Sequence, residues 1–583
     1  MYSNKENINI LTALLVEYGV KDAVVCPGSR NAPIVHNLSV NSDIDCHPVT
    51  DERSAAFMAL GMALSGERPV AVCVTSGSAL LNTAPAVAEA FYQHVPLIII
   101  SADRPQQWIG QLDGQTLPQP DALGRFVRRA VQLPEPHDYE ERWYCTRLVS
   151  EALHVATCHL PAPVHINVPI SEPLFGFDTE CLPEVKRLNV LGYTDSLDQT
   201  TVEQLRDRLY AAKRPLFVIG QMHKDIVHIQ TIEDLSKHFV VFAEPLSNSS
   251  EDVIHFDEAV RHVRANALPE DVYAPDYVVY LGDTIVSKPT RLWLRSLRVP
   301  SCLVTPDPAD IHDPLMSLAD IVQCSLEETS TLLRWLLDIY AHSSSYKDDS
   351  EVWRNEESRK AFRLAWNNLF DMATRVATRY EPPYSQMATV KYLEEQLEDS
   401  YIDVCCHYAN STAVRLACIY ATHYVWCNRG VNGIEGSLST AAGFSVTNGG
   451  DITLCVVGDL SFFYDQNALW NRCIGGNLRI LLLNNSGGGI FRMLPGLDKS
   501  PAANEYVEAE HHTTAQGICS QNDIGYLSAH NMEEMQIGIV TLLTRRAQRP
   551  MLLEVFTDAE TDAEVFKQYI AKITDIQQNN ITH

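Results

Sequence analysis

The sequence has few positive charges and no long apolar run. Each of these shortages makes certain classes of function less favourable. Its 583 residues include 45 Lys and Arg against 73 Asp and Glu, a formal net charge of 45 − 73 = −28. Because so acidic a surface repels phosphate backbones and anionic lipids, nucleic-acid binding and membrane binding are disfavoured. Its longest apolar runs, such as 95–100 and 480–483, fall far short of the ~20 residues that a membrane span needs.

The sequence also lacks a secretory leader and a paired-cysteine motif. The first residues, MYSNKENIN, contain neither a basic segment nor an apolar one, so we expect a cytoplasmic protein. The 15 cysteines are odd in number and show no C-x-x-C spacing. The adjacent Cys405 and Cys406 would point to opposite faces of a strand. We therefore predict neither a zinc site nor a disulfide framework, and interpret the thiols as small hydrophobic residues.

What the sequence does contain is an alternation of short apolar strands and helical segments. Continuous apolar runs such as 70–75 and 96–101, separated by helical stretches, are typical of parallel sheets covered by helices on both faces. The length predicts three or four domains at about 150 residues each. The charged, serine-rich stretch 343–357 is interpreted as a connector or the start of a surface helix. We place three α/β domains with parallel sheets at 1–185, 186–345 and 346–583.

The first and third of these domains share the order and spacing of their turns. From Glu52 to Gly77 is 25 residues, and from Glu435 to Gly458 is 23; the next strand ends 26 residues after each of the two glycines. Any two α/β domains share a strand–helix–strand rhythm. Matching glycine turns favour a duplicated domain, or at least two copies of one architecture.

Two polar turns in the third domain predict a metal site. The segment GDLS (458–461) ends one apolar strand and NNSG (484–487) ends the next, so that Asp459 and Asn485 are 26 residues apart. Carboxyl ends of neighbouring parallel strands meet at one edge of a sheet, where α/β proteins bind ligands. A carboxylate, an amide oxygen and a backbone carbonyl suit a small hard cation such as Mg²⁺. Two unrelated Asx turns are the alternative, and the joint spacing favours the metal.

The paired turns resemble the diphosphate and metal motif of thiamine diphosphate (ThDP) enzymes, in which G-D-x-S/A is followed one crossover later by N-N. The resemblance implies ThDP as the cofactor, with a Mg²⁺ or Mn²⁺ ion between its diphosphate and the protein. The implied metal ligands are the side chains of Asp459 and Asn485 and the carbonyl of Gly487. Gly458, Leu460 and Ser461 are implied cofactor contacts.

The same resemblance assigns two further cofactor residues and an assembly. Glu52 would be the catalytic carboxylate beside the aminopyrimidine ring, where it starts the proton transfer that activates the cofactor. Taken alone, Asp51 and Glu52 could equally favour the positive start of a helix. Ile434 would be the apolar wedge under the cofactor, with a core isoleucine as the alternative. Cofactor sites of this kind lie between the first domain of one chain and the third domain of another, which implies a homodimer or homotetramer.

Over nearly its whole length the chain resembles one branch of these enzymes, the 2-succinyl-5-enolpyruvyl-6-hydroxy-3-cyclohexene-1-carboxylate (SEPHCHC) synthases of menaquinone biosynthesis. The resemblance implies a transferase that decarboxylates 2-oxoglutarate and adds the resulting succinyl carbanion to isochorismate. The stretches that carry it are CPGSRNAPIV (26–35), TDERSAAF (50–57), SADRP (101–105), GQTLPQ (114–119), NSTAVR (410–415), NRGVNGIEGSLSTAAG (428–443), GDLSFFYDQNAL (458–469) and NNSGGGIF (484–491).

Both implied substrates are dicarboxylates, which an acidic protein can bind only where its positive charges are concentrated. Arginine is the side chain suited to bidentate carboxylate binding. The family resemblance adds a basic loop in the central domain, although Thr290 stands where a second basic residue is expected. For the polar candidates, ordinary turn hydrogen bonding is the alternative, and each arginine alone could be a surface residue. The candidate substrate residues are Ser29, Arg30, Arg104, Gln115, Arg291, Ser411, Arg415 and Arg429.

Three other functions are weighed against this one. A ThDP-dependent 2-oxoacid decarboxylase or acetohydroxyacid-type synthase would share Glu52, Asp459 and Asn485 without the arginines. A ThDP-fold protein that binds the cofactor without turnover would not need Glu52. A Rossmann oxidoreductase is disfavoured because no G-x-G-x-x-G follows a strand of the central domain, which we predict to hold no cofactor. The pair His511 and His512 is interpreted as exposed loop residues without a metal role.

Overall fold

The chain is built on parallel β-sheets covered by helices. A computed structural model describes residues 1–158, 160–190, 197–250, 253–307, 311–342, 350–399, 403–493, 496–544 and 546–575. Within these residues there are three sheets, of six, five and six strands, and every pairing of neighbouring strands in them is parallel. The predicted fold class, three parallel α/β domains, is confirmed.

The first domain forms a six-stranded sheet. Its central strands are continuous apolar runs that are buried on both faces, as parallel sheets require. The strands are β1 (Asp22–Val25), β2 (Asp45–Pro48), β3 (Val70–Val74), β4 (Leu97–Asp103), β5 (Arg129–Gln132) and β6 (Val164–Pro169), in the order β2-β1-β3-β4-β6-β5. The helices are α1 (Glu6–Glu17), α2 (Ala32–Val40), α3 (Glu52–Gly66), α4 (Ser78–Asn82), α5 (Ala84–Tyr92) and α6 (Tyr139–Thr157).

The central domain forms the five-stranded sheet. Its strands are β7 (Pro215–Ile219), β8 (Val240–Ala243), β9 (Tyr277–Leu281), β10 (Ser301–Thr305) and β11 (Leu318–Gln323), in the order β11-β10-β9-β7-β8. The helices are α7 (Gln199–Ala211), α8 (Ile229–Ser236), α9 (Phe256–Ala265), α10 (Glu270–Tyr273), α11 (Lys288–Leu297), α12 (Thr329–His342) and α13 (Ser350–Arg379).

The long helix α13 packs on the central sheet. Its Phe362, Trp366 and Phe370 lie in one apolar cluster with Phe242 of β8 and Trp293 of α11. Residues 343–349 of the predicted connector lie outside the described residues, and α13 begins directly after them. The boundary at residue 345 therefore stays a prediction, because α13 packs on the central sheet through Phe362 to Phe370 and on the third-domain cluster through Ala373 and Ala377.

The third domain repeats the topology of the first. Its strands are β12 (Val404–Tyr408), β13 (Val425–Trp426), β14 (Ile452–Gly458), β15 (Leu478–Asn484), β16 (Gly525–Ala529) and β17 (Met551–Phe556), in the order β13-β12-β14-β15-β17-β16. Counted from the first strand of each domain, both six-stranded sheets follow the order 2-1-3-4-6-5, so the predicted pair of matching architectures is confirmed. The helices are α14 (Gln386–Glu398), α15 (Thr412–Tyr420), α16 (Ser437–Thr447), α17 (Asp459–Tyr464), α18 (Gln516–Gln521), α19 (Met532–Thr544) and α20 (Ala559–Thr574).

Two corresponding helices join the first and third domains. Helix α3 crosses α16 with the backbones in direct contact. A Cβ at Gly61 would overlap the carbonyl oxygen of Thr440, and one at Gly443 would overlap that of Met58. Glycine at the two positions is what permits so close a crossing. The two six-stranded sheets are thus held against each other through their small-residue helices.

Two further predictions can be compared with the structure. The 15 cysteines are free thiols, which confirms that they form no disulfide framework. Among the described residues, no helix is both long enough and apolar enough to cross a bilayer.

Candidate functional site

The predicted metal turn forms at the carboxyl edge of the third sheet. Asp459 directly follows β14, and its side chain is 4% exposed. Its Oδ2 accepts hydrogen bonds from the backbone N–H groups of Asn485 at 3.2 Å and Gly487 at 2.9 Å, and its Oδ1 accepts one from Leu460 at 2.7 Å. The carboxylate therefore joins the ends of β14 and β15, the two strands that sequence spacing predicts to be neighbours.

The amide of Asn485 is oriented by a second carboxylate. Its Nδ2 donates to Oδ2 of Asp562 at 3.0 Å, so that the opposite oxygen, Oδ1, is the atom turned away from this bond. Burial raises the pKa of Asp562, which also accepts hydrogen bonds from Thr557 and the backbone of Gln386. A buried carboxylate, an oriented amide oxygen and the carbonyl of Gly487 are the oxygen donors that Mg²⁺ or Mn²⁺ requires. The residues present fit the implied ion.

His511 belongs to this cluster, which corrects its interpretation as an exposed loop residue. Its Nε2 lies 3.3 Å from Oδ2 of Asp459, and its ring packs edge-on against Phe463. Its Nδ1 accepts a hydrogen bond from the backbone N–H of Thr513 at 3.1 Å, so Nε2 carries the proton that faces the carboxylate in the neutral ring. His512 is exposed, as predicted. The contact of His511 with Asp459 was not predictable from the sequence, because the two residues are 52 positions apart and meet through a loop.

The loop that carries Ile434 is held at both ends while the isoleucine itself is exposed. Asn410 donates from Nδ2 to the carbonyls of Asn428 and Gly433, at 2.6 and 2.7 Å. The Ser461 hydroxyl donates to the carbonyl of Ile434, which links the loop to the metal turn. With 41% of its surface exposed, Ile434 is an apolar side chain presented by a fixed backbone, as a wedge under a cofactor ring would be. The core alternative for Ile434 does not fit.

Glu52 opens α3 at the carboxyl edge of the first sheet. The preceding Asp51 is the N-cap, since its side chain accepts from the N–H groups of Arg53 and Ser54. Glu52 is half-buried, and its Oε2 accepts from Asn82 at 3.3 Å. Capping is thus carried by Asp51, which leaves the carboxylate of Glu52 available for another function.

The first-domain candidates for substrate binding lie at the same edge. Ser29 and Arg30 follow β1, and Arg104 and Gln115 follow β4. Arg30 is committed to internal partners: Nη1 donates to the carbonyl of Ile170 at 3.0 Å, and Nη2 pairs with Glu172 at 3.0 Å. Arg104 is more open, with a long 3.4 Å contact to the carbonyl of Gly114 and a buried Nε that has no partner within the described part of the chain. Ser29 and Gln115 are exposed.

The third-domain candidates Arg415 and Arg429 are close enough for their charges to interact. Burial lowers the pKa of Arg415, and the nearby charge of Arg429 lowers it further. Arg429 is 7% exposed; its Nη1 donates to Oδ1 of Asn410 at 3.0 Å, and its buried Nε has no partner among the residues that the structure describes. Ser411, one turn before Arg415, holds a φ of +77°, an uncommon backbone state for a non-glycine residue. Two interacting cations with an unpaired buried donor form a place for an anion.

The cavities connect these arginines to other parts of the site. A small cavity of about 30 Å³ is lined by both Arg415 and Asn485, which brings the predicted substrate and metal residues to one wall. A larger cavity of about 680 Å³ between the three domains is lined by both Arg291 and Arg429. Thr290 does not face it, because it is fully buried and its N–H donates to the Ser287 N-cap of α11.

Two buried carboxylates that sequence analysis did not identify lie close enough to Arg429 to interact with its charge. Glu244, at the end of β8, accepts hydrogen bonds from the N–H groups of Val286 at 2.6 Å and Ser287 at 2.9 Å. Burial raises the pKa of Glu244 to about 7, and the charge of Arg429 opposes that shift. The other is Glu89, in α5 of the first domain, which bonds to the backbone beside Arg429.

Comparison with known proteins gives a consistent result. A family model described as the N-terminal TPP binding domain of thiamine pyrophosphate enzymes matches residues 8–123, which include Glu52. The chain is 41% identical over 579 residues to a SEPHCHC synthase of Phocaeicola vulgatus, covering 98% of each chain. It is 41% identical over 582 residues to that of Bacteroides fragilis (98% and 99% covered) and 32% identical over 580 residues to that of Porphyromonas gingivalis (98% of each).

The chain belongs to the SEPHCHC synthase family. This confirms the resemblance from which the site residues were predicted. It does not test those residues one by one, and their individual roles stay predictions. In the first and third domains, the predicted family residues lie at the carboxyl edges of the two six-stranded sheets.

Glu52 is the family residue that stands apart from the metal turn. Within the described residues its polar contact is to Asn82 of its own domain. Its neighbours in sequence do reach the third domain: Arg53 donates to the carbonyl of Tyr464 at 2.7 Å, and Asp51 accepts from Asn467 at 2.7 Å. The start of α3 is therefore anchored against the segment that follows α17.

Proposed function

We propose that this chain is a ThDP-dependent SEPHCHC synthase of menaquinone biosynthesis. It would release carbon dioxide from 2-oxoglutarate and add the remaining four-carbon unit to the conjugated ring of isochorismate, forming a carbon–carbon bond. The observation that carries the proposal is the pair of cations Arg415, which lines one cavity with Asn485 of the metal turn, and Arg429, whose Nε has no partner among the described residues. A generic oxoacid decarboxylase has no need of two cations, one partly buried and one buried, at this position.

The proposed metal ligands are Asp459, Asn485 and the carbonyl of Gly487, with Mg²⁺ or Mn²⁺ as the ion. Asp459 supplies the negative charge, and Asp562 fixes the amide of Asn485 so that its oxygen faces outward. Gly458, Leu460 and Ser461 complete the wall on which the diphosphate would lie, and Ile434 would support the rings. ThDP, when bound, supplies the carbanion chemistry that no amino-acid side chain can provide.

The proposed catalytic residue is Glu52. Its carboxyl group would exchange a proton with the aminopyrimidine ring, the step by which a general acid–base residue activates this cofactor. Its half-exposed position at the start of α3 leaves the carboxylate reachable from outside its own domain. That position supports a site completed by a second chain, so we propose a homodimer or homotetramer. A cytoplasmic location is proposed from the sequence alone.

The proposed substrate residues divide into two groups. Arg415, Arg429 and Ser411 come from the third domain, and Arg291 reaches the large cavity from the central one. The first domain would contribute Ser29, Arg30, Arg104 and Gln115. A guanidinium that bonds a carboxylate in a partly buried site holds it with two parallel hydrogen bonds, which fixes its orientation as well as its position. Arg30 would have to exchange its pairing with Glu172 for a substrate carboxylate.

The activity can be tested directly. Incubation of the purified chain with 2-oxoglutarate, isochorismate, ThDP and Mg²⁺ should yield SEPHCHC, identified by its mass, and carbon dioxide. Omission of isochorismate should suppress most carbon dioxide release. If pyruvate replaces 2-oxoglutarate at a similar kcat/KM, the substrate assignment fails and the decarboxylase function is favoured.

The arginines are tested by alanine replacement. Loss of a charge-assisted contact in a desolvated site commonly costs about 2–5 kcal/mol, roughly 30- to several-thousand-fold in rate. We expect Arg415→Ala and Arg429→Ala each to reduce kcat/KM by such factors while the Kd of ThDP changes little. Arg472→Ala, which removes an exposed arginine of the same domain, is the control and should have near wild-type activity. Near-normal synthesis by both site variants would contradict the proposed substrate site.

A further inference from the structure

A carboxylate of the first domain binds the backbone that follows Arg429. Glu89 lies in α5 and is 2% exposed. Its Oε1 accepts a hydrogen bond from the N–H of Gly430 at 2.7 Å, and its Oε2 accepts one from Val431 at 2.7 Å. Gln93, the residue directly after α5, donates to Oε1 at 2.6 Å. One buried side chain thus holds two consecutive amides of a loop in another domain.

The approach of the loop to α5 is as close as glycine allows. A Cβ at Gly430 would lie 2.9 Å from the carbonyl oxygen of Glu89 and 2.9 Å from the Cβ of Tyr92. Real Cβ atoms do not tolerate such distances to backbone, so a side chain at this position would push the loop away. Burial raises the pKa of Glu89, and the charge of Arg429 opposes that rise. The carboxylate is thus close to both the backbone and the guanidinium of this loop.

Few other contacts fix Arg429. Among the described residues its guanidinium donates to Asn410, and its Nε is without a partner. The direction of an arginine side chain follows from the backbone that carries it, and here the next two residues are bound by Glu89. We propose that Glu89 is a positioning residue for the reaction, which fixes the loop so that the guanidinium of Arg429 points at a substrate carboxylate. This inference rests on the proposed function.

The test is Glu89→Gln, in which an NH₂ group replaces one acceptor and faces a backbone N–H. Leaving that donor unsatisfied should raise the KM of the substrate held by Arg429 about 5- to 100-fold, with a smaller change in kcat. If Glu89 acts through Arg429, the losses are not additive, and Glu89→Gln should reduce kcat/KM less than twofold in an Arg429→Ala background. Additive losses would overturn the inference.

Asp22→Asn is the matched control. Asp22 is also a buried carboxylate of the first domain, bound to His47 at 2.9 Å and Arg68 at 2.7 Å, but it begins β1 at the sheet edge opposite to the site. The Asp22→Asn replacement should lower the thermal midpoint of unfolding and leave the KM values of 2-oxoglutarate and isochorismate unchanged. If both variants lower the midpoint and neither alters KM, Glu89 has a structural role alone and the inference is wrong.

A second variant covers the case in which Glu89→Gln does not fold. Gly430→Ala moves the same loop from the other side of the contact and should produce the same rise in KM; an unchanged KM overturns the inference.

The proposed function and this inference fail in different ways. A wild-type chain that makes no SEPHCHC refutes the proposed function and this inference with it. An active wild type with unaltered variants refutes the inference alone.

Discussion

Replacing Asp459 with alanine should destabilise the cofactor-free protein as well as prevent cofactor binding. Oδ2 of Asp459 accepts the N–H groups of Asn485 and Gly487, 26 and 28 positions along the chain. Alanine leaves both donors without an acceptor at a buried strand end. At about 1–3 kcal/mol for each unsatisfied group, the free energy of unfolding should fall by about 2–6 kcal/mol. The loss of the carboxylate should also abolish metal-dependent ThDP binding.

The measurement is urea unfolding of cofactor-free protein followed by circular dichroism, with calorimetric titration of ThDP in Mg²⁺ alongside. Asp451→Ala is the control, because Asp451 is an exposed carboxylate that precedes β14, whereas Asp459 follows the same strand. Surface replacements of this kind usually change stability by less than about 0.5 kcal/mol. If Asp459→Ala is as stable as the control, the carboxylate does not hold the turn. If it still binds ThDP normally, the diphosphate site lies elsewhere.

Three further outcomes are expected. Glu52→Gln should bind ThDP but lose turnover on the order of 10²–10⁴-fold; near-normal turnover would reject the catalytic role. Burial raises the pKa of Asp465 to about 6 from 3.8, so the folded state binds the proton more tightly and stability falls as pH rises between these values, by on the order of 3 kcal/mol. Asp465→Asn should flatten that dependence in unfolding measured at pH 4 and pH 7; an unchanged slope would exclude Asp465 as its source. Gly443→Ala should lower the free energy of unfolding by about 1–3 kcal/mol, whereas Gly517→Ala, with open space around it, should not; equal stabilities would show that the helix crossing can relax.

Sequence analysis located the buried strands well and the edge strands poorly. The predicted runs at 70–75 and 96–101 overlap β3 and β4. The strands β2, β5, β11 and β16, which it did not identify, all lie at the edge of a sheet. An edge strand is covered on fewer sides and needs no continuous apolar run, as the sequence DCHP of β2 shows.

One interior strand was missed for another reason. Strand β6 is fully buried between β4 and β5, but His165 and Asn167 interrupt its apolar pattern. Inside the sheet both side chains are hydrogen-bonded: the Ser101 hydroxyl contacts His165 at 2.7 Å and donates to Asn167 at 2.8 Å. Polar residues in a strand resemble a loop sequence when their hydrogen-bond partners lie on other strands, because the sequence does not show those partners.

The candidate site likewise contains residues that were predictable from the sequence and residues that were not. The turn of Asp459 and Asn485 was predictable because one strand–helix–strand crossover fixes its spacing. The family resemblance supplied the arginines. Nothing in the sequence indicated Glu89, whose acceptor atoms bind backbone N–H groups 341 and 342 positions away. Backbone amides are present at nearly every residue, so a side chain that recognises them leaves no pattern in its partner segment.

The crossing of α3 and α16 has a mechanical consequence. Where two backbones touch through glycine, neither helix can slide or rotate without driving its neighbour's carbonyl groups into its own chain. We expect the first and third domains to move as one stiff body. The central domain is packed against the third as well: Leu246 and Val286 lie in the apolar cluster of the third domain, and α9 is hydrogen-bonded to α20 through Glu258 and Tyr569. We therefore expect the 680 Å³ cavity between the three domains to keep its shape when substrates enter, because no domain around it is free to swing.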